Sequence, residues 1–444
     1  MRGHSRPANL KSGSRPQLFA WINLQGQRSF SRRAVWPTHF HHTRQRSDKM
    51  NILCINCDNP FSNVAGGQRN AVFDYIIPLT ASHRVSVVTI GSNQGHANVA
   101  SAEIISVGPE RFGTRVGLIQ FAKAARKFVA TKGSQYDLII ELFTSPVGPL
   151  GLPALTDTPV VGYAAFAFWQ EMGEKYHLPI ARLARRILST YAWLVAPDES
   201  VARDLRSAAP KAEVRVFPHY QTLGIPDINQ EPLGDHLLYI GRSETHQKGL
   251  HLLLDALETV ETADLTLEIV GFSAEDRIWR RLSRNRSLRC RVIFNGFVPP
   301  TLCGGRLEPG SQLKEALRRA RAVAIPSRYE SFGIVQLEAA ALGVPSIAFD
   351  LPAFADRAEA ILSVPQFDTA ALSRAIDSAF RDNAMIQRLR GACALIAERF
   401  SPGDKPQEFQ RFLEDTQAPV NAPALVNAQA PVNLRRMHDS VLVS

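Results

Sequence analysis

Long apolar runs are missing from this chain of 444 residues; none reaches the ~18 residues that a membrane-spanning helix needs. The longest candidate is "PVVGYAAFAFW" at 159–169, so the expectation is a cytoplasmic protein, soluble or peripheral to the inner face of a membrane. Cysteine is scarce as well. Cys54, Cys57, Cys290, Cys303 and Cys393 are odd in number and scattered, which argues against a disulfide framework and for a reducing compartment. Cys54 and Cys57 form a C-x-x-C, but on a strand the two thiols point to opposite faces, and no second pair stands at zinc spacing. Acidic residues are nearly absent from residues 1–49, where ten Lys/Arg face Asp48 alone, while the remainder balances 41 basic against 40 acidic side chains. The formal charge of +10 therefore belongs to the leader and gives no reason to expect nucleic acid as a partner of the globular part. That leader has no apolar core followed by a small-residue cleavage site, so it is not a standard secretory signal. Its Arg, Ser, Pro and His content resembles a transit peptide or a disordered extension; the alternative is a start at Met50, where "MNILCINC" runs straight into an apolar strand.

What the chain does have is alternation. Short β-branched runs alternate with helical patterns: "NILCINC" 51–57, "RVSVVTI" 84–90, "LIIEL" 138–142, "PVVGY" 159–163, "LVAP" 194–197 and "VRVF" 214–217. A turn-rich stretch, 221–235, interrupts the pattern. It resumes with "HLLYIG" 236–241, "LTLEIVG" 265–271, "RVIFNG" 291–296, "AVAIP" 322–326 and "SIAFD" 346–350. The pattern predicts an α/β protein of two doubly wound parallel-sheet, Rossmann-like domains, residues 50–220 and 236–400, joined by the linker 221–235 and facing across one cleft. A closing helix is expected at 401–415, and the Ala/Pro/Val/Asn-rich end, 416–444, as a flexible tail.

Two stretches carry chemistry. In "YIGRSETHQKGLHLLLDALE" (239–258) Lys248 sits just before a helix and Arg242 just after a strand. A cation at a helix N-terminus is unfavourable unless an anion offsets it, so the two can clamp a diphosphate; the other reading is a solvated loop with two stray charges. In "PSRYESFGIVQLEAAALGVPSIAFD" (326–350) Gly333 permits a sharp turn into a helix, leaving the amides of Phe332, Gly333, Ile334 and Val335 to meet phosphate oxygens. Glu330 precedes that turn and Glu338 lies inside the helix among Leu337, Ala339, Ala340 and Ala341. A buried carboxylate without a partner costs several kcal/mol. A vicinal diol such as a ribose offers two donors to its two oxygens; an arginine partner, or a solvent-facing position, would also account for Glu338.

These residues resemble the retaining nucleotide-sugar glycosyltransferases of the GT-B fold that carry an E-x7-E signature. The likeness rests on 326–350, on "GRSETHQKG" upstream of it, on "NVAGGQRNAVFDYIIPL" (63–79) as a glycine loop and on "ERFSPGDKPQEFQRFLED" (398–415) as closing helices; it spans roughly residues 50–415. It implies that Arg242 and Lys248 stabilise a leaving diphosphate and that Glu338 binds ribose hydroxyls. It further implies that Glu330, with the backbone of Phe332 and Gly333, orients the transferred sugar, and that Gly66 and Gly67 bring main chain close to phosphate. The implied reaction is transfer of a sugar, with retention, from a nucleotide-sugar donor to a saccharide, lipid or small-molecule hydroxyl, with no cofactor. No Asp-x-Asp occurs, so the usual ligands of the metal-dependent glycosyltransferase route are missing and no essential metal is expected.

The chain departs from the family's pattern twice. Relatives often place a His after the strand matching "PVVGYAAFAFW", where this chain has Ala164, and Pro-Asn-Gly where it has "FPHYQ" (217–221), whose His219 is either a substitute or an ordinary loop histidine. The alternatives in function are a catalytically inactive sugar-nucleotide-binding or scaffold protein, and an epimerase or phosphorylase of the same fold. The amphipathic stretch 174–194 groups Arg182, Arg185 and Arg186 near one face, which suits a solvated helix or contact with a membrane surface toward a lipid-linked acceptor.

Overall fold

Apolar residues at nearly every strand position dictate the architecture, because such strands must be covered on both faces. The computed structural model describes residues 49–57, 59–60, 68–91, 101–108, 115–143, 148–166, 180–229, 233–243, 245–303 and 306–417. In the first half, β1 (Asn51–Ile55), β2 (Arg84–Thr89), β3 (Glu103–Ser106), β4 (Leu138–Leu142), β5 (Val160–Tyr163), β6 (Trp193–Ala196) and β7 (Glu213–Val216) form one sheet of order β3-β2-β1-β4-β5-β6-β7. Every pairing in it is parallel. In the second half, β8 (His236–Ile240), β9 (Thr266–Val270), β10 (Arg291–Phe294), β13 (Ala320–Ile325), β14 (Ser346–Phe349) and β15 (Ile361–Val364) form another parallel sheet, of order β10-β9-β8-β13-β14-β15. Between β10 and β13 the chain makes an antiparallel hairpin of β11 (Thr301–Cys303) and β12 (Arg306–Glu308).

The two sheets agree with the alternation read in the sequence, and three features were not legible there. β3 and β15 are four-residue edge strands, and the hairpin is short and largely exposed, so none presents a long apolar run. Cys54 and Cys57 form no disulfide and are buried in the cores on opposite faces of the first sheet, as strand periodicity requires. In the stretch 174–194 the described helix is Ile180–Leu188, which buries Ala184 and Leu188 and exposes Arg182, Arg185 and Arg186. Among the described residues no helix is long and apolar enough to cross a membrane.

The chain ends by tying its halves together. The helix Asn383–Arg399 packs beside the helix Ile334–Ala341, and the Phe400 carbonyl then accepts a hydrogen bond of 2.9 Å from the Gln221 amide. The helix Lys405–Asp415 returns to the first sheet, where Phe409, Phe412 and Leu413 join Tyr75 and Phe217 in one apolar cluster. Residues Asp48–Ser444 accordingly form one compact unit.

Candidate active site

Each sheet reverses its strand order at one place, and the loops leaving the two strands there diverge to open a crevice. In the second sheet the reversal lies between β8 and β13, so the loops after Ile240 and after Ile325 are neighbours. The first becomes the short helix Thr245–Lys248, then Gly249, then the helix Leu250–Leu257. Gly249 has φ +60°, and a Cβ placed on it would overlap the Pro326 carbonyl oxygen. The Arg328 amide donates to the Gln247 carbonyl at 2.8 Å, so the two loops are laced at van der Waals distance. Their side chains then meet: Lys248 Nζ lies 2.6 Å from Glu330 Oε1, and the Ser327 hydroxyl donates to the same oxygen at 2.7 Å. With side chains only 20% and 6% exposed, this ion pair is shielded from solvent and each charge depends on the other. Arg242 lies on the same loop with its side chain exposed; its carbonyl accepts the Tyr239 hydroxyl at 3.1 Å.

Past Glu330 the chain turns at Gly333, whose φ of +77° belongs to the left-handed region and whose missing Cβ leaves room for the Phe354 ring. The helix Ile334–Ala341 starts there, as the turn read at Gly333 predicted, with Ile334 and Val335 in its first turn. Phe332 is buried at 1% exposure under the guanidinium of Arg357, which sits 4.1 Å from its ring centre. Arg357 is itself fully buried and donates from Nη2 to the carbonyls of Phe332 and Ala353, both at 2.5 Å. Burial lowers its pKa, against the opposing charge of Asp356, whose carboxylate is 3.1 Å away.

Glu338 stands half-buried on that helix between Leu337 and Ala339, and burial pushes its carboxyl up to about 7. The charge of Arg69 opposes that shift. Arg69 belongs to the helix Gln68–Ala71, directly after the glycine loop. The charge that reaches Glu338 thus comes from the other half of the chain. Gly66 and Gly67 themselves lie outside the described residues.

Sequence reasoning missed four side chains around this crevice: Arg69, Ser327, Arg357 and Asp74. The first two have local signals, standing next to the glycine loop and inside "PSRYE"; the other two gain meaning only in three dimensions. Ala164, fully buried at the end of β5, offers no polar group. His219 is no open loop histidine either: it is 5% exposed, with Nδ1 2.6 Å from Asp74 Oδ2. Among the described residues no group of three or more His, Cys, Asp or Glu is placed to hold a metal ion.

Comparison with known proteins bears on this crevice directly. Residues 234–382 match the family described as glycosyl transferases group 1. The chain is 32% identical over 188 residues to a phosphatidyl-myo-inositol mannosyltransferase of Mycobacterium leprae, a stretch covering 41% of this chain and 47% of that protein. It thus spans about half the length of that curated relative. Among solved structures it resembles a sucrose-phosphate synthase of Thermosynechococcus elongatus (TM-score 0.66, 20% identity, 83% of this chain and 99% of that one). It also resembles Anabaena HepE, solved with UDP and glucose (TM-score 0.60, 17% identity, 82% and 100%). The fold is that of the GT-B glycosyltransferases, and residues 234–382, the stretch that matches the group 1 glycosyltransferases, supply both the Lys248–Glu330 pair and the Gly333 turn.

Proposed function

We propose that this protein is a retaining glycosyltransferase that moves a sugar from a nucleoside-diphosphate donor to a hydroxyl acceptor. The observation that carries the reading is the shielded Lys248–Glu330 pair, set at the strand-order reversal and directly before the Gly333 turn. In the reaction the bond between the sugar's anomeric carbon and the diphosphate oxygen breaks, and a bond to the acceptor oxygen forms on the same face. The acceptor's proton passes to an oxygen of the departing phosphate. Lys248 and Arg242 take up the negative charge that grows there, which is catalysis by preorganised electrostatics, while Glu330 and the amides of Phe332 and Gly333 fix the sugar. Ile334 and Val335 present further amides at the helix N-terminus, Glu338 accepts from the ribose hydroxyls, and Gly66 and Gly67 are assigned to the phosphates. The acceptor is a saccharide or a lipid-linked hydroxyl.

Thermal unfolding of the full chain with UDP, GDP and ADP in turn tests the donor half of this reading. A nucleotide at a hundred times its dissociation constant adds about 2.7 kcal/mol, which shifts the midpoint by a few degrees, and Lys248→Ala is expected to abolish the shift. Transfer from the matching nucleotide sugar, with the product anomer read by NMR, tests the rest. If no nucleotide shifts the wild type at millimolar concentration, the proposal is wrong.

A further inference from the structure

His219 sits where the family's pattern breaks, and its surroundings are specific. Its Nδ1 lies 2.6 Å from Asp74 Oδ2, and its Nε2 lies 3.5 Å from the hydroxyl of Tyr163, the last residue of β5 and the neighbour of Ala164. Asp74 belongs to a single π-helical turn, Val72–Ile76, a distortion that recurs at functional sites. Two further bonds fasten the loop to that turn: the Tyr220 hydroxyl donates to the Asp74 carbonyl at 2.6 Å, and the Tyr75 hydroxyl donates to the Pro218 carbonyl. The imidazole also meets the ring of Phe332 in a T-shaped contact, with centroids 5.1 Å apart and planes at 76°. Phe332 thereby touches both His219 from the first half of the chain and Arg357 from the second. Its neighbours in sequence are the residues proposed to hold the sugar.

We infer that Asp74 and His219 form a positioning dyad, which sets the Glu330–Gly333 turn against the donor sugar by pressing the imidazole on Phe332. The dyad touches no reacting atom. It stands beside Ala164, at the strand end where relatives place a histidine, and acts there through Phe332. This rests on the assignment of the Glu330–Gly333 turn to the donor sugar.

A joint that merely holds the two halves together would change stability and leave the donor's sugar unaffected, so the test compares two affinities. For the full-length protein, dissociation constants are measured by calorimetry for UDP-glucose, GDP-mannose and ADP-glucose and for each bare nucleotide, giving the gain in affinity that the sugar contributes. His219→Gln, Asp74→Asn and Phe332→Leu are compared with wild type, with circular dichroism as the control for folding. Expected is that His219→Gln erases the sugar's gain and lowers kcat at least 30-fold while bare-nucleotide affinity stays within twofold. Asp74→Asn keeps a hydrogen-bonding oxygen and should recover part of the loss. His219→Gln combined with Phe332→Leu should be no worse than the poorer single variant. Folded variants that keep both the sugar's gain and kcat, or a double variant whose losses multiply, overturn the dyad alone. A wild type that binds none of the nucleotides overturns the donor assignment and the dyad with it.

Discussion

Glu338 carries opposite consequences for folding and for binding. Burial raises its carboxyl from 4.5 to about 7. Between those values the folded protein holds the proton more often than the unfolded chain does, so this group's contribution to stability falls as pH rises from about 4.5 through 7 and is fully unfavourable above. Glu141, raised by burial to about 7 despite bonds of 2.5 Å from the Leu150 amide and the Tyr191 hydroxyl, adds a slope of the same sign. The difference between wild type and Glu338→Gln isolates Glu338. In urea denaturation the two should be equally stable near pH 4, with the variant ahead by about 1 to 3 kcal/mol at pH 8. In the proposed site a ribose diol donates to the ionised carboxylate, so nucleotide affinity should rise up to about tenfold between pH 6 and 8 beyond whatever rise remains in Glu338→Gln. Calorimetry at both pH values checks this; a variant that binds as tightly and with the same pH dependence removes Glu338 from the ribose.

At the scale of elements, two glycines decide whether the crevice exists. Gly249→Ala would push a methyl group into the Pro326 carbonyl oxygen and pry the Lys248 loop from the Glu330 loop. The expected result is a fall in kcat/KM of about 100-fold or more, the scale of a misplaced catalytic group, in steady-state kinetics. Gly333→Ala meets both a positive φ and the Phe354 ring, and should cost about 1 to 3 kcal/mol in denaturant unfolding as well as activity. Gly333 was legible in the sequence because it stands between a strand run and a helix pattern, where a turn is required; Gly249 stands in the same setting and was not singled out. Lys248 and Glu330 were legible as separate residues; their pairing was not, since it follows from the order β8-β13, which strand patterns do not specify. The Asp74–His219 bond joins residues 145 positions apart, and no local pattern announces it. Arg357 is hidden for a further reason: a fully buried guanidinium stacked on Phe332 looks, in sequence, like any surface arginine.

For the whole molecule, the question is whether the halves fold as one. The Phe409 ring lies 4.9 Å from Tyr75 and 5.0 Å from Phe217, so the last described helix supports the first sheet beside the loop that carries His219. Truncating a fully buried Phe to Ala typically costs 3 to 5 kcal/mol, and here the cost falls on contacts of the first sheet alone. Nucleotide, in the proposed site at the second sheet, stabilises only what unfolds together with that site. Trp193 reports on the first sheet and Trp279 on the second, each isolated by replacing the other, together with Trp21, Trp36 and Trp169, with Phe. In otherwise wild-type protein the two probes should give one guanidinium transition, and saturating UDP, or whichever nucleotide binds, should raise both midpoints equally. In Phe409→Ala the Trp193 transition should fall below the Trp279 transition and stop responding to nucleotide. If the two probes stay superimposed in that variant, the closing helix is not what couples the sheets, and the coupling must run through the linker and the His219–Phe332 contact instead.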